Sequence, residues 1–175
     1  MRKTFIHFLW AMLVVVVLGS IGAFWAIAEG KIGYMPPIED LQNPINRFAT
    51  QVFSADGKLM GTWNYNKENR VCVDYNELSP NIVKALVATE DVRFYDHSGI
   101  DFYALGRALI KRGLLGQVNA GGGSTITQQL AKQLYSEKAS STLERLLQKP
   151  IEWVIAVKLE RYYTKQEIIA LYLNY

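Results

Sequence analysis

The sequence predicts a mainly α-helical protein with a small β element and one membrane-spanning helix at its N-terminus. An uncharged apolar run occupies residues 5–28, and two short extended runs flank the Asp-Gly pair at 56–57. From residue 79 onward, apolar residues recur at helical spacing. The chain has 175 residues, of which 50% are hydrophobic and 20% charged, so it is long enough for one ordinary domain and is not a disordered chain.

Residues 1–30 are predicted to form a cytoplasmic tip and a transmembrane anchor. A helix over Phe5–Ala28 would span the roughly 30 Å hydrocarbon core of a bilayer. Arg2 and Lys3 precede the run, which places the N-terminus in the cytoplasm and the rest of the chain outside. The alternative is a cleaved signal peptide that ends at Ala26–Ala28. We favour the anchor because the run is long for a signal peptide.

Residues 31–50 and 51–78 are predicted to be a linker and a small β element. The linker is punctuated by Pro and Asn, which interrupt regular structure. The Asp-Gly pair at 56–57 predicts a hairpin, and the run at 70–78 could add a third strand. Cys72 is the one cysteine, which excludes an internal disulfide framework; we interpret it as a small buried side chain.

Residues 79–175 are predicted to form the helical domain. Ser79 is a suitable N-cap, and Pro80 suits the first helical position. A Gly-rich loop occupies residues 116–123. We expect helices over residues 80–91, 101–115, 124–136, 150–163 and 165–175.

The first candidate site is EDVRFYDH, which begins at Glu90. We expect Glu90 near the C-terminal end of a helix, where the dipole disfavours a charged carboxylate. Phe94 and Tyr95 would exclude water there, and such a carboxylate suits a general base. The alternative is a solvated Glu-Asp pair. His97 with its neighbouring aspartates could hold a metal, but we favour a structural hydrogen bond.

The second candidate site is GGGSTITQQ, residues 121–129. Glycines allow close backbone approach, and the following hydroxyls and amides are groups that hold sugars. Lys132 lies one turn beyond Gln128, and a helix N-terminus favours anions. The motif is not a phosphate-binding Walker loop, because no Gly-Lys-Ser/Thr follows. The alternative is a Gly-rich hinge before an ordinary polar helix start.

The third candidate site is ERLLQKPIEW, residues 144–153. Pro150 predicts a helix start, so Glu152 would lie in the first turn, where the dipole favours its charged form. Basic residues outnumber acidic ones between residues 102 and 150, which suits a phosphate-bearing partner or a membrane surface. A solvated basic face near anionic lipid explains the charge equally well. A nucleic-acid partner is disfavoured, because this segment is predicted to lie outside the cytoplasm.

Four motifs in this order resemble the peptidoglycan glycosyltransferase domain of class A penicillin-binding proteins. They are EDVRFYDHSGID, GGSTITQQLAK, KPIE and TKQEIIALYLN, within residues 51–175. The motif positions that we take as structural are Asp91, Phe94, His97, Gly99, Asp101, Gly122, Gly123, Lys165 and Asn174.

The resemblance implies a lysozyme-like helical lobe with a jaw that dips into the membrane. It also implies polymerisation of lipid II onto a nascent glycan strand by one inverting displacement. Glu90 would be the catalytic base, and Glu152 with Lys149 would assist the pyrophosphate, with Glu152 as a candidate ligand for a divalent cation (Mg or Mn). The donor would contact Ser124, Thr127, Gln128, Gln129 and Lys132.

Two departures from the family pattern matter. Gln148 stands where the family has Arg, and Arg145 is the candidate that would compensate. The chain ends at Tyr175, so the resemblance implies an incomplete lobe that more helices, and often a transpeptidase domain, would follow.

Two other functions fit parts of the sequence. A lysozyme-like peptidoglycan hydrolase would need water on the attacking side. A catalytically inactive membrane-anchored scaffold would not need both glutamates. For the glycosyltransferase that the resemblance implies, cell-wall synthesis proteins are candidate protein partners.

Overall fold

The computed structural model describes residues 2–42, 50–63, 73–114, 116, 122–136 and 141–175. In these residues the chain is mainly helical with one two-stranded sheet, which confirms the predicted fold class. The helices are α1 Arg2–Ala28, α2 Ile38–Gln42, α3 Pro80–Glu90, α4 Phe102–Ala108, α5 Ile126–Tyr135, α6 Thr142–Tyr162 and α7 Lys165–Asn174. The interpretation of Cys72 and most of the predicted Gly-rich loop fall outside the described residues.

The β element is a hairpin. Strand β1, Thr50–Phe53, pairs antiparallel with β2, Leu59–Trp63, and Val52 lies opposite Gly61. The expected third strand is wrong for residues 73–78, which contain a 3₁₀ turn over Tyr75–Glu77, while residues 70–72 fall outside the described part.

Helix α1 is long and apolar enough to cross a membrane, with a mean hydropathy of 2.4 over Lys3–Ala28. A signal sequence near an N-terminus has the same properties. The C-terminal turn of α1 packs on α6, where the Phe24 ring stacks on Trp153 at 6.3 Å between centroids. The apolar segment is thus attached to the helical domain in this structure.

The predicted linker contains a short helix that its composition did not indicate. Leu41 on α2 is fully buried and belongs to the main hydrophobic core. The Tyr135 hydroxyl on α5 donates a hydrogen bond of 2.8 Å to the Asp40 carbonyl. Helix α2 therefore ties the segment after α1 to the helical domain.

The core lies where α5 packs against α6 and α7. Burying one aliphatic side chain there stabilises the fold by about 1.5–3 kcal/mol, so the contact contributes substantially to stability. The fully buried aliphatic side chains of these helices include Ile126, Leu130, Ile155, Leu159, Ile168 and Ile169.

The predicted cap at Ser79 is confirmed, and α5 has a cap, Thr125, that the sequence analysis did not name. The Ser79 side chain accepts from the Asn81 N–H at the start of α3, and Thr125 accepts from Gln128 at the start of α5. The predicted helix over 101–115 is divided: α4 ends at Ala108 and a π-helical segment follows over Leu109–Leu114.

Pro150 does not start a helix, and this prediction was wrong. Helix α6 begins at Thr142 after the Ser141 cap and continues through Pro150. Proline leaves the carbonyl four residues earlier without its N–H partner. That residue is Leu146, which is exposed, so water can reach the carbonyl. Glu152 consequently lies inside α6, and the argument from a first-turn dipole does not apply to it.

Candidate functional site

Glu90 is the last residue of α3 and its side chain is exposed. The Gln129 amide of α5 donates a hydrogen bond of 2.8 Å to Glu90 Oε2. The Tyr172 hydroxyl of α7 donates one of 3.0 Å to Gln129 Oε1. The expected exclusion of water from Glu90 by its aromatic neighbours is not observed. Phe94 is fully buried in the core, and Glu90 is exposed.

Asp91 fixes the end of α3 against the start of α5. Its buried carboxylate accepts from the Ile126 N–H at 3.1 Å and faces His97 Nε2 at 3.0 Å. His97 thus has a hydrogen-bonding partner within the protein, and its structural role stays a prediction. Among the described residues, no group of three His, Cys, Asp or Glu side chains could hold a metal ion.

Lys165 links three of the motifs. Its ammonium donates to the His97 carbonyl at 2.7 Å and to Glu160 Oε1 at 2.8 Å, and it lies 4.2 Å from the Phe94 ring centre. The Thr127 hydroxyl donates to the same Glu160 oxygen at 2.6 Å. This buried network joins α5, α6 and α7 beneath the segment that carries Glu90.

The backbone geometry at position 99 requires a glycine. Its φ is +89°, and an added Cβ would lie 3.0 Å from the carbonyl carbon and oxygen of Ala156. Its own carbonyl accepts from Thr125 Oγ1 at 2.7 Å and from Gln128 Nε2 at 3.1 Å. The loop before α4 is thus clamped between α5 and α6.

The other motif positions also hold the backbone. Asp101 caps α4 by accepting from the Ala104 N–H at 3.0 Å, and it pairs with Arg93 at 3.4 Å. A Cβ on Gly123 would lie 3.3 Å from the Leu105 Cα, so this glycine packs closely on α4, whereas Gly122 is exposed.

Asn174, at the end of α7, holds the segment before α3. It accepts from the Val73 N–H at 3.0 Å and donates to the Val73 carbonyl at 2.8 Å.

The predicted substrate-binding residues fall into two groups. Thr127 and Gln128 are buried and hydrogen-bonded to the protein, so this arrangement directs them to the interior. Ser124 and Gln129 are half-buried, and Lys132 is exposed. The latter three lie on or just before α5, on the part that remains open to a ligand.

Glu152 is only 2% exposed and lies inside α6. Lys149, one turn earlier, places its ammonium 2.5 Å from Glu152 Oε2 while staying half-exposed. Arg145 is exposed another turn earlier, and Gln148 is half-buried. No hydrogen bond or ion pair joins Glu90 to Glu152 within the described part of the chain, so the two glutamates have separate surroundings.

Sequence reasoning missed Tyr172 and Glu160. Burial, and then the charge of Glu90, raise the pKa of Tyr172. Tyr172 lies among apolar residues of a helical stretch, and such a pattern is typical of a residue that packs in the core. Glu160 lies in a charged stretch that reads as solvent-exposed, and only the packing of α5 and α7 shows its partners.

Comparisons with known proteins all indicate the same family. The family model described as "Transglycosylase" matches residues 56–175. Penicillin-binding protein 1A of Escherichia coli (strain K12) is 33% identical over 171 residues, which cover 97% of this chain and 19% of the relative. Penicillin-binding protein 1A of Aquifex aeolicus (strain VF5) is 38% identical over 165 residues, covering 90% and 22% respectively. The chain therefore spans about a fifth of the length of these curated relatives.

Proposed function

The chain belongs to the transglycosylase family, and from this membership we propose that it is a peptidoglycan glycosyltransferase that polymerises lipid II. The growing glycan strand, linked to undecaprenyl pyrophosphate, is the donor. Lipid II is the acceptor, through the 4-hydroxyl of its GlcNAc. The observation that carries the proposal is the exposed Glu90 carboxylate, held at the end of α3 beside the open face of α5.

In the proposed reaction, Glu90 removes the proton from the acceptor hydroxyl. The hydroxyl oxygen then attacks C1 of the donor sugar from the face opposite the pyrophosphate. The bond from C1 to the pyrophosphate oxygen breaks, and undecaprenyl pyrophosphate leaves with the electron pair. One displacement inverts the α-linked donor to a β-1,4 product. Within the described part of the chain, the exposed Glu90 carboxylate accepts one hydrogen bond, on Oε2, so its other oxygen is open for the proton.

Lys149 is the proposed partner for the leaving pyrophosphate. An ammonium has three donors, and only one is used on Glu152. The buried Glu152 carboxylate holds this cation on α6, where the Lys149 side chain is still 38% exposed. Arg145, exposed on the preceding turn, and Lys132 on α5 would add positive charge for phosphate oxygens.

A divalent cation does not fit at Glu152 in this arrangement. Glu152 Oε2 is occupied by the Lys149 ammonium, and the described residues supply no second and third carboxylate, His or Cys beside it. A cation at that position would also lie against a positive charge. Lys149 is therefore the residue that supplies the positive charge at this position.

The lipid-linked substrate accounts for the apolar features of the surface. Helix α1 would anchor the chain with its N-terminus in the cytoplasm and the site outside. Phe102, Leu109 and Ile110 are exposed on α4 and its π-helical extension, with Arg107 and Lys111 beside them. Apolar side chains flanked by basic ones suit a bilayer surface with anionic headgroups.

The test replaces Glu90 by Gln in the purified protein with α1 retained. We expect polymerisation of labelled lipid II to fall by about 100- to 10,000-fold while lipid II binding survives, because the change removes the base but little volume. Glu39→Gln is the matched control, since Glu39 is an exposed glutamate on α2. Near-normal turnover of Glu90→Gln would refute the assignment.

A further inference from the structure

Tyr172 reaches from α7 to the side chain that holds the proposed base. Its hydroxyl donates to Gln129 Oε1 at 3.0 Å, and the Gln129 amide donates to Glu90 Oε2 at 2.8 Å. We propose that Tyr172 is a positioning residue for Glu90 and acts through the orientation of the Gln129 amide. This inference rests on the proposed function, in which Glu90 is the base.

The amide of Gln129 has two different ends, and only one orientation suits both neighbours. An ionised carboxylate only accepts hydrogen bonds, so Glu90 requires the NH₂ end. The oxygen end then faces Tyr172, whose hydroxyl can donate to it. If the amide rotated by half a turn, its oxygen would face the carboxylate and repel it. The Tyr172 hydroxyl favours the orientation that keeps a donor on Glu90.

Tyr172 is suited to remain a donor while the enzyme works. Burial raises the pKa of its hydroxyl, and the negative charge of Glu90 raises it further. The proton therefore stays on the tyrosine across neutral pH. The ring is half-buried against the core, so the position of the hydroxyl is defined by packing as well as by its hydrogen bond.

Both ends of α7 are fixed, which holds Tyr172 in place. At its start, Thr164 accepts from the Glu167 N–H, and the Glu167 side chain accepts from the Thr164 N–H at 2.7 Å. Two residues after Tyr172, Asn174 makes its two hydrogen bonds to Val73, shortly before α3 begins. Helix α7 is therefore tied to the segment that leads into the helix ending at Glu90.

A double-mutant cycle tests the proposal. The variants are Tyr172→Phe, Gln129→Met and the double variant, assayed for lipid II polymerisation with α1 retained. Tyr172→Phe keeps the ring and removes only the hydroxyl. We expect about a tenfold loss of kcat with little change in KM, which corresponds to one hydrogen bond of about 1.4 kcal/mol. In the Gln129→Met background, Tyr172→Phe should cause no further loss.

The cycle separates a positioning role from a structural one. A structural loss would persist in the Gln129→Met background, so additive effects would overturn the proposal. Unchanged kcat in Tyr172→Phe would overturn it as well. Tyr162→Phe is the control, because Tyr162 is exposed on the last turn of α6. A wild-type protein that does not polymerise lipid II overturns the proposed function and this inference with it. An active wild type with an additive cycle overturns the inference alone.

Discussion

The Lys158 ammonium of α6 donates a hydrogen bond of 3.0 Å to the main-chain carbonyl of Ala28, the last residue of α1. The last carbonyls of a helix have no N–H partner within it, and a cation near them is favourable. Together with the stack of Phe24 on Trp153, this bond fixes the end of the apolar helix on the helix that carries Glu152. The end of the proposed anchor thus packs on α6, the same helix that carries the proposed pyrophosphate site.

Replacing Lys158 by Met should loosen this connection. The change keeps a long side chain but removes the donor, and we expect the free energy of unfolding to fall by about 1 kcal/mol. Thermal unfolding in detergent measures the loss as a lower Tm. Lys84→Met is the matched control, because Lys84 is an exposed lysine on α3. Equal Tm values for the two variants would contradict a capping role for Lys158.

Gly99→Ala should be one of the most damaging small substitutions in the chain. The added Cβ would lie 3.0 Å from backbone atoms of Ala156, and φ is +89°, where an L side chain is strained. We expect a loss of about 1–3 kcal/mol from the backbone conformation alone, with the contact adding to it.

Gly106→Ala provides the comparison for Gly99→Ala. Gly106 lies inside α4, and among the described residues no atom beyond its chain neighbours and the backbone of its own helix lies within 4 Å of the position that its Cβ would take. Alanine is favoured over glycine in a helix by about 0.8–1 kcal/mol, so Tm should stay the same or rise. Equal losses in the two alanine variants would show that the tight contact of Gly99 with α6 is not present in solution.

The parts that the sequence predicted are those set by neighbouring residues. Ser79 caps α3 because a hydroxyl just before a helix start accepts from the first free N–H groups. The hairpin followed from its Asp-Gly turn. Two features were missed: Pro150 lies inside α6 rather than at its start, and Tyr172 meets its partner Gln129 only where α7 packs on α5. One-dimensional spacing carries no information on such contacts.

The site was predictable by residue type but not by arrangement. The motif around Glu90 correctly placed a carboxylate at a helix end. It could not show that Thr127 and Gln128 turn inward while Gln129 turns toward Glu90, because these three adjacent residues are equally polar. Which face of α5 is buried is decided by α6 and α7.

Tyr135 should make the fold sensitive to alkaline pH. Burial, and then the nearby Tyr163 and Asp40, raise the pKa of its hydroxyl. The unfolded chain releases this proton near pH 10, whereas the folded protein retains it. The stabilisation that comes from this difference in pKa is therefore fully present below about pH 10, and it declines as the pH rises above that value.

The measurement compares wild type with Tyr135→Phe by thermal unfolding between about pH 8 and 12. The variant should be less stable at neutral pH, because it lacks the hydrogen bond to the Asp40 carbonyl. Its Tm should nevertheless fall less steeply above about pH 10. The Tm of the variant should still decline somewhat as the pH rises, because burial also raises the pKa of Tyr163 and Tyr172. Parallel curves for the two proteins would be inconsistent with a buried, proton-retaining Tyr135.

The final prediction separates two roles for Thr127. Its hydroxyl donates at 2.6 Å to Glu160, which also pairs with Lys165, and Thr127 is 0% exposed. Valine has the same shape but leaves the buried Glu160 carboxylate with one donor fewer, so Thr127→Val should lose about 1.5–3 kcal/mol of stability. Thr127→Ser keeps the donor and loses one methyl group, which costs about 0.8 kcal/mol.

If Thr127 acts only by holding Glu160, Tm should follow the order wild type, serine variant, valine variant. KM for lipid II should then stay constant in both variants, measured well below the unfolding temperature. Ser124→Ala, at the half-buried position before α5, should instead raise KM with little change in Tm. A several-fold rise of KM in Thr127→Val that serine restores would mean that the hydroxyl contacts the donor. Helix α5 would then have to turn Thr127 outward when substrate binds.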